Sequence, residues 1–219
     1  MASYLITGGN RGIGLELARQ LAARGDTVTV ACRSSSADLD ALGVEVIDGV
    51  DVASDEGVSR LADAMSGRSL DVLVNNAGIL TGESLDDLDL DRMRRQFDVN
   101  ALGPLRVTAA LHSCLHPGSK VAIITSRVGS IADNSSGGMY GYRMSKAAVN
   151  MAGANLAIDL REQGVPVALL HPGMVATEMT GRRGVTPAHS AAGLIDRIDE
   201  LTLETTGRFW HAEGEELPW

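Results

Sequence analysis

The chain has 219 residues, 44% hydrophobic and 21% charged, which suffices for a full core and excludes a disordered or collagen-like chain. Its formal net charge is -9, opposite in sign to the cationic surface that a nucleic-acid backbone or an anionic membrane selects. Two cysteines, Cys32 and Cys114, stand far apart, fit no metal-ligand spacing and are expected as free thiols in a cytoplasmic protein.

Short β-branched runs alternate with longer amphipathic stretches. A first strand is predicted over Tyr4–Thr7, ended by Gly8-Gly9. Ile13, Leu17, Ala18 and Leu21 then recur at helical spacing up to Arg24, and Gly25 closes that helix. Thr27–Ala31 reads as a buried parallel strand and Val44–Ile47 as a third strand. Ser54 is placed to cap a helix running to Met65, before a fourth strand over Leu70–Val74. A helical stretch is predicted from Leu88 to Leu115, with a bend at Gly103-Pro104. A fifth strand is predicted over Lys120–Thr125 and a surface loop over Asp133–Gly138. A long helix follows over Tyr142–Gln163, ended by Gly164, and then a sixth strand over Val165–Leu170. Thr186 and Pro187 open a last helix to about Leu201, and Gly207–Trp219 reads as a short tail.

Alternation of this kind predicts an α/β fold: a doubly wound parallel sheet of the Rossmann type. One domain over 1–219 is expected, with a small substrate-side lobe around 174–205. No apolar run approaches the ~20 residues that span a bilayer, and no signal-peptide pattern opens the sequence.

Thr7-Gly8-Gly9-Asn10-Arg11-Gly12-Ile13-Gly14 lies between the first strand and the first helix. Glycines let a pyrophosphate approach the backbone, and the helix N-terminus offers unpaired N–H groups to the anion. The spacing Gly-x-x-x-Gly-x-Gly differs from the commoner G-x-G-x-x-G. Cys32-Arg33-Ser34 follows the second strand and carries no acid to hold an adenosine ribose. Arg33, with Arg11 inside the loop, suits a 2′-phosphate, so NADP(H) is expected over NAD(H).

Tyr142 and Lys146 stand at i, i+4 and share one helix face. A lysine charge beside a phenol is expected to lower its pKa below the usual value of about 10, which suits proton transfer to or from a carbonyl oxygen. Tyr140 has Met144 at the matching position and lacks such a partner. Lys146 and Lys120 are the only lysines. Ser126 follows the fifth strand directly, where ligands of open parallel sheets bind. Ser130, Ser135 and Ser136 compete with it from deeper in the loop. Asn75-Asn76-Ala77-Gly78 ends the fourth strand. Asn100 interrupts a helical pattern with a poor helix former.

Together with Asp51-Val52, His171-Pro172-Gly173 and Thr177, these motifs run in order across nearly the whole chain. They resemble the short-chain dehydrogenase/reductase family, whose glycine motif is Thr-Gly-x-x-x-Gly-x-Gly. The opening Asn-Arg-Gly-Ile-Gly-Leu-Glu, Ser-Arg-Val-Gly-Ser-Ile, Tyr-Gly-Tyr-Arg-Met-Ser-Lys and the ending Gly-Glu-Glu-Leu-Pro-Trp look most like its small carbonyl-reductase-type members, the C-factor and Sniffer group. The resemblance implies Tyr142 as proton donor or acceptor and Ser126 as the group that polarises the carbonyl. It implies that Lys146 binds the nicotinamide ribose and depresses the Tyr142 pKa, and that Asn100 holds a water linking Lys146 to solvent. Gly8, Asn10, Arg11, Gly12, Ile13 and Gly14 would cradle the cofactor. Asp51 and Val52 would contact adenine, and Asn76, Ala77 and Gly78 would line the cofactor. Pro172, Gly173, Val175 and Thr177 would flank the nicotinamide. Hydride transfer between an NADP(H) cofactor and a small-molecule ketone, aldehyde or alcohol is the expected reaction. An NADP(H)-sensing signalling protein on the same fold is the alternative.

Ser126 lies sixteen residues before Tyr142, more than is usual in the family, and Asp133–Gly138 accounts for the excess. Leu80, Met139, Tyr140, Met174, Val175 and Trp210 are candidates for an apolar substrate wall, or for core. A homodimer through the Leu88–Leu115 and Tyr142–Gln163 stretches is open, since their small residues serve equally for packing on the sheet.

Overall fold

The computed structural model describes residues 1–219. The strands are β1 (Ser3–Thr7), β2 (Thr27–Ala31), β3 (Glu45–Ile47), β4 (Val72–Asn75), β5 (Lys120–Ile124), β6 (Val167–His171) and β7 (Phe209–His211), and the central ones are runs buried on both faces. All pair in parallel, in the order β3-β2-β1-β4-β5-β6-β7. The order reverses direction between β1 and β4, and open sheets bind ligands at such a switch point.

Successive side chains of each strand enter opposite cores. Ile6, Val30 and Val74 join one cluster with α1 (Gly12–Arg24) and α7 (Pro187–Asp199). Leu5, Ala31 and Leu73 join the other with α3 (Asp55–Met65), α5 (Gly103–Ala110) and α6 (Tyr140–Asp159). A one-turn α2 (Ala37–Asp40) and α4 (Leu90–Phe97) complete the helices. No helix is long and apolar enough to cross a membrane.

Local chemistry sets most boundaries where the sequence places them. Gly25 ends α1 in the left-handed region at φ 93°. The Ser54 hydroxyl accepts the Gly57 N–H at 3.0 Å and caps α3. Lys120 donates from Nζ to the Ile198 and Asp199 carbonyls, each at 2.8 Å, so this lysine closes α7.

Three expectations are corrected. The tail contains an edge strand, because Phe209–His211 pairs with β6 and the Leu217 N–H returns to the Phe209 carbonyl at 2.7 Å. Trp210, read as substrate wall or core, takes the core reading and packs against the α1/α7 side. The long helix begins at Tyr140 rather than Tyr142, and beyond Asp159 it gives way to a 3-10 turn over Arg161–Gln163. In place of a bend at Gly103-Pro104, a π-turn over Asp98–Leu102 joins α4 to α5, and the Gly103 N–H reaches back to Asp98. Pro104 has no N–H for the carbonyl four residues earlier, that of Asn100, so the wider turn suits the sequence. Within 174–205, only 174–186 is largely exposed, since α7 belongs to the sheet face.

Candidate active site

The ends of β1, β4, β5 and β6 bring the sequence motifs together. Gly8, at φ 68°, lies where an added Cβ would come within 2.8 Å of Ala77 Cα. A Cβ on Gly14 would meet Asn76 Nδ2 at 2.5 Å and the Gly8 carbonyl oxygen at 2.7 Å. The Thr7 hydroxyl accepts the Asn76 and Ala77 N–H groups at 3.1 Å. Asn76 donates from its side chain to the Thr7 and Gly8 carbonyls at 3.0 and 3.1 Å. Asn76 therefore shapes the glycine loop by tying it to the end of β4. Asn10 is engaged likewise, donating to the Ser34 carbonyl at 2.9 Å.

These observations test the loop for a dinucleotide. No side chain caps α1, and no acid stands in its first turn. Its orphan N–H groups and positive dipole end thus face the cleft without a protein anion. Arg33 stands exposed just past β2. Arg11 instead pairs with Glu178 at 2.7 Å, across the cleft. Thr177 lies beside the same loop, 3.4 Å from where a Cβ on Gly12 would sit. Asp51 accepts from Arg95 at 2.7 Å and from the Ala53 N–H at 3.0 Å. Burial pushes its carboxyl up, but these bonds outweigh it and hold the pKa below the usual range. Val52 is buried where Gly103 leaves it room.

Tyr142 occupies the first turn of α6, and Lys146 the next. The Ser126 hydroxyl lies near the phenol and accepts the Val128 N–H at 3.4 Å. Ser126 is 8% exposed and Lys146 4%, so both groups are shielded from bulk water. Lys146 Nζ donates to the Ile124 carbonyl at 2.9 Å and lies 5.8 Å from the centroid of the Tyr142 ring. Of the competing serines, Ser130 donates to the Trp219 carbonyl at 2.9 Å, while Ser135 and Ser136 are exposed.

Burial pushes the Tyr142 phenol up to about 12, with the neighbouring Ser126 hydroxyl acting against it. Burial also brings Lys146 down to about 8. A phenol below the ordinary tyrosine value, expected from the i, i+4 pair, is therefore not what this geometry produces. Desolvation of the charged form is the dominant cause.

The Asn100 amide grips the loop after β4. It donates to the Ile79 carbonyl and accepts the Ile79 N–H, both at 2.8 Å, and donates to Ser145 Oγ at 3.0 Å. A Cβ on Gly78 would lie 3.3 Å from Asn100 Oδ1 and 3.8 Å from Lys146 Nζ. The amide is thus committed to protein partners, and a water role for Asn100 would fall to its backbone. His171 is pushed down to about 3, first by burial and then by His211, Arg127 and Lys146. The Pro172 carbonyl accepts from Ser190 Oγ at 2.7 Å, Gly173 adopts φ 82°, and Val175 is buried.

Leu80, Met139 and Tyr140 are half-buried near the start of α6, whereas Met174 is exposed. A cavity of about 610 Å³ lies between Gly173, Val185 and α7, and Ser126, Tyr142 and Lys146 do not line it. Sequence reasoning missed Ser145, Glu83 and Gln96. Glu83 is a lone loop acid that no motif or periodicity marks, yet it is buried and bonded to Gln96.

A family model described as short chain dehydrogenase matches residues 3–187. The 1-hydroxy-2-glutathionyl-2-methyl-3-butene dehydrogenase of Rhodococcus sp. strain AD45 is 49% identical over 226 aligned positions, covering 100% of both chains. The C-signal of Myxococcus xanthus is 49% identical over 155 positions, 68% of this chain and 93% of that one. The structure of an NADPH-bound carbonyl reductase from chicken fatty liver superposes with a TM-score of 0.89 at 27% identity, covering 100% of this chain and 99% of that one.

Proposed function

The chain belongs to the short chain dehydrogenase family and is an oxidoreductase, and on that premise we propose that it reduces a ketone or aldehyde to an alcohol with NADP(H). The observation that carries this reading is the burial of Ser126 and Lys146 around Tyr142, whose ring centroid lies 5.8 Å from Lys146 Nζ. When bound, the nicotinamide ring supplies the hydride.

In this reading the glycine loop and the first turn of α1 hold the pyrophosphate, with Gly8, Gly12, Ile13 and Gly14 as its backbone. Arg33 meets the 2′-phosphate, and Arg11 joins it when released from Glu178. Asp51 and Val52 border the adenine, and Ala77 and Gly78 line the cleft beside Lys146. Pro172, Gly173, Val175 and Thr177 flank the nicotinamide end. The NADPH-bound avian reductase supports the choice of NADP(H).

Ser126 orients the substrate oxygen by hydrogen bonding, and Tyr142 delivers the proton to it. A phenol held near 12 is protonated across the neutral range, so it stands ready as a donor. Oxidation of an alcohol needs the phenolate instead, which burial disfavours.

The identity to the Rhodococcus dehydrogenase supports a second substrate reading, an alcohol beside a bulky thioether. The exposed 131–137 and 178–186 segments leave the mouth of the cleft open to such a group. Loss of NADPH absorbance with carbonyl substrates, and its gain from NADP+ with hydroxyalkyl glutathione thioethers, separates the two readings. A protein that only senses the cofactor would bind NADPH and turn over neither class. Exposed Phe97, Leu105, Met151 and Ile158 on α4, α5 and α6 support a homodimer, which sedimentation tests.

A further inference from the structure

We propose that Glu83 is a positioning residue that seats the first turn of α6 and so fixes Tyr142 against Ser126. The inference rests on the reading of Tyr142 as proton donor. Glu83 is 4% exposed, yet its side-chain partners are neutral. Thr81 Oγ1 donates to Glu83 Oε1 at 2.5 Å. Gln96, fully buried in the last turn of α4, donates from Nε2 to both carboxylate oxygens at 3.2 Å. Gln96 also accepts the Thr81 N–H at 3.0 Å, which closes a ring of bonds.

The helix bearing Tyr142 sits directly on this ring. Met139 is its N-cap residue, with no side-chain cap and a left-handed φ of 47°, rare for a residue with a Cβ. The Met139 N–H donates to the Glu83 backbone carbonyl at 2.9 Å. A Cβ on Gly141 would lie 2.3 Å from Gln96 Nε2 and 3.1 Å from Glu83 Oε2. The turn therefore rests on the amide and the carboxylate with no room between them, and Tyr142 is the next residue.

A buried carboxylate is costly, and a hydrocarbon of similar volume would fill the space more cheaply. Its negative charge is favourable where the orphan N–H groups and positive end of α6 lie, a helix of 20 residues. Strained backbone persists only where its surroundings over-determine it, and the Met139 turn is held by the Glu83 carbonyl from outside the helix. Asn100 and Ser145 clamp the same loop to α6 one turn later. The loop after β4, which borders the cleft, and the proton donor thereby move as one body.

The test compares Glu83→Ala, Glu83→Gln and Thr81→Val with wild type and Tyr142→Phe, measuring kcat, the KM and Kd for NADPH, and thermal unfolding. Displacements of about 1 Å at reacting groups cost about a hundredfold in rate. Glu83→Ala is expected to lose about tenfold to a hundredfold in kcat, with the Kd for NADPH within twofold of wild type. Glu83→Gln keeps an oxygen acceptor for Thr81 and Gln96 and is expected to recover most of that loss. If Glu83→Ala does not fold, Thr81→Val reads the same split, with a kcat loss of a few fold. Unchanged kcat in a folded Glu83→Ala or Thr81→Val overturns the proposal. So does a cofactor Kd that weakens in step with kcat, which marks general loosening. If wild-type turnover does not depend on Tyr142, both this proposal and the assigned proton donor fall. If it does and the Glu83 variants match wild type, only this proposal falls.

Discussion

The hydroxyl of Ser126 stands beside the phenol of Tyr142 although fifteen residues of chain intervene. The contact arises because β5 ends at Ile124 and α6 begins at Tyr140, with both termini at the same edge of the sheet. Gly129 presses on the backbone of Lys146, where a Cβ would come within 2.7 Å of its carbonyl carbon, and so holds the loop down onto the helix. Excess loop length is accommodated in the exposed 131–137 segment and leaves this contact untouched.

Removing either member of the contact should separate chemistry from binding. Tyr142→Phe is expected to lower kcat for reduction by about a hundredfold or more, the usual weight of a positioned acid. Ser126→Ala should lower kcat and also raise the phenol pKa further, because its hydroxyl is the one group acting against burial. Kinetics at fixed pH, beside NADPH titration by fluorescence, check both. Weaker cofactor binding in step with kcat would show that these groups hold the cofactor instead.

Lys146 carries a distinct pH signature. Its folded pKa of about 8 lies below the ordinary 10.5, so the folded protein releases this proton before the unfolded chain does. Stability contributed by this group therefore rises between about pH 8 and pH 10.5 and is absent below 8. Lys146→Met is expected to raise stability at pH 7, by at most about 3.5 kcal/mol since one pKa unit is about 1.4 kcal/mol, while abolishing turnover. Denaturant unfolding at pH 7 and pH 10 measures this, and a Lys146→Met variant less stable at both would refute it. In the wild type, any alkaline loss of kcat/KM in the free enzyme near pH 8 belongs to Lys146. The phenol titrates only near 12.

Cofactor choice is expected to lie with Arg33. Arg33→Ala should weaken NADPH binding about tenfold to a hundredfold, the worth of a charge-assisted bond, and leave NADH unchanged. Glu178→Gln releases Arg11 from its ion pair and should tighten NADPH modestly, by less than an exposed pair of this kind can withhold, about 1 kcal/mol. Equal effects of Arg33→Ala on the two cofactors would remove the 2′-phosphate assignment. Calorimetric titration reads all of these constants.

Gly14→Ala tests the loop itself. The added methyl would strike Asn76 Nδ2 and the Gly8 carbonyl, both well inside contact distance. NADPH binding is expected to fall by more than tenfold through the displaced loop. A variant that binds normally would mean the dinucleotide does not depend on this turn.

Much of the fold was legible because burial on both faces leaves continuous β-branched runs, as at Thr27–Ala31, and helix ends leave glycines, as at Gly25 and Gly164. β7 was not, because three residues at a sheet edge carry no period, and Phe209 and Trp210 read as tail. The candidate site residues could be picked out by type and order, and the fold brings them to the strand ends. Their partners were not: Asn10, Asn76 and Asn100 point into protein, which residue type alone does not disclose. The Tyr142 pKa depends on burial, a property of the packed helix and not of the Tyr-x-x-x-Lys spacing. Glu83 was invisible for the same reason, since only folding brings it beneath Gly141.

The most direct measurement is loss of reduced-nicotinamide absorbance with NADPH and NADH side by side, over a panel of aldehydes and ketones, for wild type and Tyr142→Phe. NADPH-dependent turnover that disappears in Tyr142→Phe is the expected result. Turnover that survives Tyr142→Phe, or that runs equally well on NADH, would contradict the assigned proton donor in the first case and the assigned cofactor in the second.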